Sequence, residues 1–443
     1  STPTPTKSGD HMAWDFSTEP EFQAQLDWMR DFVDNEIAPL NLFYDDMSSD
    51  SWKQAAAPLK EEVKSRGLWA CHLDPELGGQ GYGQVKLALM HQILGRVGVA
   101  PMIFGNQAPD SGNSELLAVG ANEEQKKKWM EPLLRGELTS CFSLTEPHFA
   151  GSDPTMIATN AVRDGDEYII NGHKWFASNA SAADFILAMV VTNPDNPRHK
   201  AASMMIIPKD APGMNIVRDV PTMSHPYPGH YRSGGHAEII FEDCRIPVEN
   251  RVGEEGEGFI LAQKRLSGGR IHHAMRWVGQ CEQAFDMMCE RAVSRSSHGS
   301  LLAEKQMVQD FIAKSSVEIR ALKLLALHTA WLWDTQGPLA TRVEIAELKY
   351  WGTAVLHDVI DRAIQVHGAL GWTADLPLAS MYVSARTMRL ADGADEVHKS
   401  FVARKKLKDY SPVEGWPSTH IPTLKDNHRQ QFAHLLEQEV LNN

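Results

Sequence analysis

The sequence predicts a helical protein with a β domain set in its middle, and three observations carry that prediction. Apolar residues recur at helical spacing from about Pro20 to Glu137. Short apolar runs separated by turn residues follow between Cys141 and about Val252. After "GEEGEGF" the helical period returns. Segregating helices, strands and helices in this way argues against an alternating βαβ pattern, and so against a doubly wound nucleotide-binding sheet.

In the first helical segment Phe22, Leu26, Met29 and Val33 fall on one face, and Gly67 follows "EEVKSR" where a helix C-terminus favours glycine. The strands are read from "YII", "FILAMVV", "SMMIIP" and "AEIIF". Within "YIINGHKWFAS", Asn171-Gly172 predicts a tight hairpin turn between two strands. Later, Val278, Cys281, Phe285, Met288 and Ala292 form one stripe, and Ile345, Leu348, Val355, Leu356 and Val359 another. The resulting division is a tail over 1–19, a helical domain over 20–139, a β domain over 140–254, a helical domain over 255–410 and an extension over 411–443.

With 443 residues and 42% hydrophobic content, the chain can bury a sizeable core. Its formal net charge of -14 provides no basic field for a phosphate backbone, which disfavours nucleic acid and anionic membrane surfaces. Five scattered cysteines, Cys71, Cys141, Cys244, Cys281 and Cys289, lack paired metal-ligand spacing and suit a reducing compartment. The sequence shows no apolar run long enough for a membrane span and no secretory h-region, so a cytoplasmic protein is expected.

Four stretches could carry chemistry. "GGQGYG" at Gly78 to Gly83 has no βαβ unit around it and reads as a loop. The adjacent His272 and His273 point apart on a helix and have no ligand partner at i+4, so they read as core or supporting histidines, and no metal site is expected. "CFSLTEPHFAGSD", where the helical domain hands over to the strands, is either a surface turn or a loop whose main-chain N–H groups cradle a phosphate or a planar polar ring. "RLADGADEVHKSF", from Arg389 to Phe401, is either a turn leading into a solvated helix start or the seat of a catalytic carboxylate.

"SLTEPHFAGSD", "INGHKWFASN", "IIFEDCRIPVENRVGEEGEGF", "AIQVHGALGW" and "RLADGADEVH", in that order, resemble the acyl-CoA dehydrogenase family across nearly all of Pro20 to Leu407. "QAPDSGN", "EEQKKKWMEPLLRGELTSCFSLTEP" and "RIHHAMR" extend the resemblance to the subgroup that in vertebrates is fused behind phosphotransferase-like domains. The resemblance implies an N-terminal helical domain, a β-barrel or sandwich domain and a C-terminal four-helix bundle. It also implies FAD as cofactor, an acyl-CoA substrate, an electron-transfer flavoprotein as acceptor, and a homodimer or homotetramer.

By the same resemblance Phe142, Leu144 and Thr145 line the flavin ring, and Ser152 lies near the cofactor or the acyl-CoA. Phe176 and Ser178 take the family's Trp and Thr positions; phenylalanine keeps a flat apolar face there. Arg295 and Gln306, eleven residues apart with His298 between them, match the residues that reach the outer half of FAD from a neighbouring subunit. Gln365, Val366 and Gly368 match the segment that contacts its adenosine-diphosphate half, with Ala369 replacing a family glycine.

Asp392 falls 27 residues after Gln365, the family's base position, and the alternative base position is Gly269, which cannot accept a proton. Asp395 and Glu396 fall where the family contacts FAD, while Gly393, Arg270 and Arg404 join Ser152 around the acyl-CoA. The implied reaction is α,β-dehydrogenation of the thioester to a trans-2-enoyl-CoA, with the α proton going to Asp392 and the β hydride to flavin N5. Aspartate in place of the family's usual glutamate keeps open a flavin oxidase related to nitroalkane oxidase. A non-catalytic or DNA-associated flavoprotein is a third reading, opposed by the charge. The stretch "MSHPYPGHYRSGGHAEI", over 223–239, exceeds the family's usual loop and either shapes the substrate entrance or is a solvated insertion.

Overall fold

The computed structural model describes residues 16–41, 49–227, 235–266, 269–412 and 421–441. The N-terminal helices are α1 (Pro20–Phe32), α2 (Asp50–Ser65), α3 (Gly83–Leu94), α4 (Ala100–Ile103), α5 (Asp110–Gly120), α6 (Glu123–Gln125) and α7 (Glu131–Leu134). Local chemistry sets their ends. The Ser49 hydroxyl caps α2 by accepting from Trp52 N, and Gly67 lies just beyond its end at φ 69°. Asn122 and Gln125 form a capping box at α6. Phe22, Leu26, Met29 and Val33 are buried together, as their spacing predicts.

The strands are β1 (Ser140–Ser143), β2 (Asn160–Asp164), β3 (Glu167–Ser178), β4 (Phe185–Val191), β5 (Ala202–Pro208), β6 (Met214–Asp219), β7 (His236–Pro247) and β8 (Arg251–Val252). They form one sheet in the order β6-β7-β3-β1-β4-β5-β8, with β2 beside β3 and β4. The run "FILAMVV" is buried on both faces. Phe185, Leu187 and Met189 meet residues of α5 and α8, while Ile186, Ala188 and Val190 face Tyr168, Ile170 and Ile239. That is why its sequence reads as continuous hydrophobicity and does not alternate.

The predicted hairpin at Asn171-Gly172 does not form. Both residues lie inside β3, and the two-residue turn between β2 and β3 is Gly165-Asp166. Gly172 is needed there because a Cβ would meet the Cα of Thr159 at 2.6 Å. Asn171 instead clamps β7: its Nδ2 donates to Asp243 Oδ1 at 3.1 Å, and its Oδ1 accepts from Asp243 N at 2.8 Å. Pairing with β7 outweighs the local turn preference of the dipeptide.

The C-terminal part comprises α8 (Gly258–Leu266), α9 (Gly269–Ser294), the hairpin β9 (Ser296–Ser297) and β10 (Ser300–Leu301), α10 (Gln306–Gln336), α11 (Arg342–His367), α12 (Ala369–Trp372), α13 (Leu378–Met388), α14 (Asp395–Leu407), α15 (Ile421–Gln431) and α16 (Ala433–Leu441). The two stripes read from the sequence meet in one core shared by α9, α10 and α11. The helical N-terminal domain docks on that core through α3. A Cβ on Gly95 would meet Arg276 O, and one on Gly279 would meet Gln92 O, each at 2.2 Å, so the two helices cross backbone to backbone. Residues 1–15 of the expected tail and 228–234 of the long loop lie outside the described residues.

Candidate functional site

The loop after β1 is fastened from below. Glu146, 4% exposed, accepts from Ala158 N, Thr159 N and Lys174 Nζ at 2.8 to 2.9 Å, and the same ammonium donates to Leu144 O at 2.8 Å. Burial pushes the Lys174 ammonium down to about 8, against the pull of Glu146. Burial also works to raise the Glu146 carboxyl, but Lys174 and the amides it accepts from leave it lowered. Both side chains therefore carry charge at neutral pH, and the loop is held by a buried ion pair.

Above this pair lie the residues expected around a flavin ring. Phe142 and Ser178 face each other across β1 and β3, and Thr145 O accepts from Trp175 N at 3.0 Å. The Ser178 hydroxyl is bonded to His236 Nδ1 at 2.8 Å. Phe176 is 42% exposed and has φ 48°, a left-handed conformation that is unusual for an aromatic residue. It owes this to a bulge. Between Lys174 and Ala177 one extra β3 residue is accommodated, which turns Phe176 out of the alternation. Ser152 is exposed on the loop between β1 and β2.

The second cluster is the turn between α13 and α14. Asp392 and Gly393 both have positive φ, 55° and 96°. Two contacts hold their backbone and a third ties the turn to the end of α13: Lys349 Nζ donates to Gly393 O at 3.1 Å, His398 Nε2 donates to Asp392 O at 3.2 Å, and Lys349 Nζ also donates to Met388 O at 2.6 Å. Lys349 is 3% exposed, and burial lowers its ammonium while Asp392 and Asp395 pull the other way. A left-handed non-glycine residue in a turn fastened by a buried lysine and a histidine is the kind of enforced geometry found at functional sites.

The Asp392 side chain is 37% exposed, and its Oδ2 lies 3.8 Å from Nδ1 of His273. Arg270, one turn earlier on α9, also faces it. Burial lowers that guanidinium and the Asp392 charge partly offsets the effect, while Arg270 Nε is buried without a partner. Asp395 turns inward, 4% exposed, bonded to Arg389 Nε at 2.9 Å and to the Thr353 hydroxyl at 3.3 Å. Glu396, beside it at the start of α14, is exposed. Arg404 is exposed near the end of α14.

The remaining residues lie at the other end of the helices. His298 and Gly299, at φ 51° and 82°, make the two-residue turn of the β9–β10 hairpin, with Arg295 before it and Gln306 opening α10. Arg295, His298, Gln306 and Gln365 are exposed, and Val366 is buried. Gly368, at φ 65°, ends α11. At 1.5 Å per residue, Gln365 is about 24 Å along α11 from Lys349, and Ser294, next to Arg295, is about 36 Å along α9 from Arg270. One copy of the chain thus separates these groups from the Asp392 turn.

Lys349, His398, Thr353 and Arg389 were not singled out from the sequence. Lys349 had a legible signal: a charge four residues after Ile345 and three before Gly352, on the buried stripe of α11. His273 was read as a core or supporting histidine, but its nearness to Asp392 had no signal, since it joins α9 to the turn after α13.

Among the described residues no helix is long and apolar enough to cross a membrane. Three family models match in order: acyl-CoA dehydrogenase N-terminal domain over 19–137, middle domain over 141–244 and C-terminal domain over 256–407. The chain is 42% identical over 367 residues to human acyl-CoA dehydrogenase family member 11, covering 82% of this chain and 46% of that protein. It thus spans about half the length of the vertebrate relatives it matches. It is 40% identical over 393 residues to the probable acyl-CoA dehydrogenase FadE2 of Mycobacterium tuberculosis, covering 86% of this chain and 93% of that one. Among solved structures, a putative acyl-CoA dehydrogenase from Mycobacterium abscessus superposes with a TM-score of 0.83 at 36% identity, covering 89% of this chain and 100% of that chain. The glutaryl-coenzyme A dehydrogenase glutaryl-CoA complex gives 0.76 at 26% identity, covering 90% and 98%. The order of the helical and β domains and the three consecutive family matches lead to one conclusion: the chain belongs to the acyl-CoA dehydrogenase family.

Proposed function

We propose that the chain is an FAD-dependent acyl-CoA dehydrogenase in which Asp392 removes the α proton of an acyl-CoA thioester. The observation that carries this reading is the Asp392 carboxylate itself, exposed on a left-handed turn whose backbone is pinned by Lys349 and His398. A solvated helix start would have no need of a buried ammonium beneath it.

The residues above the Glu146–Lys174 pair fit a flavin. Phe142, Leu144 and the outward Phe176 offer apolar surface for a flat ring, and Thr145 and Ser178 place hydroxyls beside it. Bound there, FAD would supply the two-electron acceptor for the β hydride. The chain's own residues supply the rest. Asp392 takes the α proton as the C=C bond forms, and the main-chain N–H at the base polarises the thioester oxygen, where negative charge builds up. Glu396 is the carboxylate free to contact the cofactor, and Ser152, Arg270, Gly393 and Arg404 are the residues toward CoA. An electron-transfer flavoprotein is the proposed acceptor.

The distance between the Asp392 turn and the Arg295, His298, Gln306 and Gln365 group supports a homodimer or homotetramer, in which one copy presents those residues to its neighbour's cofactor. The test is anaerobic mixing of the yellow protein with a panel of acyl-CoA thioesters. Bleaching by at least one, lost in Asp392→Asn while FAD and thioester still bind, is the expected result. Bleaching of Asp392→Asn at the wild-type rate would overturn the base assignment. Rapid peroxide formation in air would favour the oxidase reading, for which the aspartate is the specific motive.

A further inference from the structure

The carboxylate that takes the α proton must lose it before the next turnover, and the surroundings of Asp392 bear on where it goes. Arg270 and Lys349 face it as desolvated cations, while Asp395 is already engaged by Arg389. A proton resting on Asp392 removes the anion facing Arg270 and one of the two facing Lys349, an arrangement that is costly in a partly buried site. His273 stands at the same carboxylate. Its Nδ1 is 3.8 Å from Asp392 Oδ2, and 28% of its side chain is exposed, so it stands between the base and solvent.

Its neighbour in sequence behaves differently. His272 is buried and stacked at 4.5 Å on His91 of α3, with Arg276 one turn further along α9. Consecutive histidines thus divide between core and site. The charged and titratable groups around Asp392 and the two histidines are Arg270 and Arg276 on α9, Lys349 on α11, Asp395 and His398 on α14, His91 on α3, and His72.

We propose that His273 accepts from Asp392 the proton taken from the substrate and passes it to water, a positioning and proton-accepting residue that acts through Asp392. The proposal rests on the reading of Asp392 as the base. The α C–H bond gives its proton to Oδ2 and its electron pair to the new C=C bond, and the β hydrogen leaves with its own pair to the acceptor. The O–H bond formed on Asp392 then breaks as Nδ1 of His273 gains the proton, and the imidazolium releases it to solvent. The 3.8 Å gap is closed by a small rotation of the carboxylate or bridged by one water; such contacts tighten when substrate binds.

The experiment isolates proton transfer by using an acyl-CoA analogue with sulfur in place of the β carbon, which has no β hydrogen to give up. Exchange of its α hydrogens with D2O is followed in the FAD-loaded wild type, His273→Gln and Asp392→Asn, alongside binding of the analogue. With the relay removed, the abstracted proton returns to the carbon it left. His273→Gln should therefore bind the analogue normally but exchange about 10-fold more slowly, with one ionisation missing from its pH profile. Exchange in His273→Gln at the wild-type rate, with a superimposable pH profile, would overturn the relay. Persisting exchange in Asp392→Asn would instead overturn the base assignment on which it rests, so the two failures are distinguishable.

Discussion

Lys349 Nζ lies 3.1 Å from the carbonyl oxygen of Gly393, the residue that follows Asp392, and reaches it from a side chain that is only 3% exposed. A buried ammonium on α11 thereby fixes the direction of a carboxylate between α13 and α14. Lys349→Met keeps the volume and removes both donations. It should retain FAD but lose about 100-fold in anaerobic flavin reduction, since a misplacement near 1 Å has that cost. The carbonyls left unpaired should lower stability by about 1–3 kcal/mol each. Stopped-flow reduction at unchanged rate would show that the turn holds itself.

Asp392→Glu lengthens the arm by one methylene on a backbone fitted to the shorter residue. Activity should survive, with a changed preference among acyl chain lengths. The readout is the reduction rate across a thioester series. Complete loss with every thioester would mean that the turn tolerates only aspartate.

The Glu146–Lys174 pair makes a stability prediction independent of the chemistry. Removing one partner leaves the other charge buried alone, at about 3–5 kcal/mol for Glu146→Gln or Lys174→Met. The double variant should cost less than the sum, with a coupling energy above about 1 kcal/mol. Urea midpoints of the four proteins complete the cycle, and strict additivity would contradict the pairing.

Acid should weaken the fold in a defined window. Burial lowers His72 to about 4 and lowers His91 and His272 well below the ordinary histidine range. All three stay neutral in the folded chain where unfolded histidines, near 6.5, have protonated. The unfolded state then binds more protons, so stability present above about 6.5 is lost as pH falls toward 4. Urea midpoints at intervals across that window should decline. His272→Phe, which keeps a ring on His91, should flatten the decline, and a pH-independent wild-type midpoint would contradict it.

The order of helices, strands and helices was legible because each period reports which faces are buried, and the stripes on α9 and α11 do meet in one core. The strand β4 was legible as an apolar run, and its burial on both faces came with the structure. Asn171-Gly172 misled because a dipeptide reports only its local turn preference, whereas its partner is Asp243 on another strand. Asp392 was singled out through its distance from Gln365, a family spacing. The groups that hold it were not, since Lys349, His398 and His273 come from three helices, and the sequence carries no mark of how helices cross.

β3 and β7 contain two irregularities of opposite sign. Between Ile170 and Gly172 the surplus residue belongs to β7, where Asp243 has φ 47°; between Lys174 and Ala177 it belongs to β3, where Phe176 has φ 48°. Like a pair of opposed dislocations in a lattice, they cancel beyond their own span, and Ser178 returns to register with His236. Deleting either residue alone would leave the mismatch uncancelled and invert the facing of everything downstream, Ser178 included. Deleting Asp243 and Phe176 together would heal the sheet, giving a β domain more regular than the natural one and lacking the outward aromatic. The fault is therefore what the sheet gives up in regularity to present one ring, and a chain optimised for strand pairing alone would erase it.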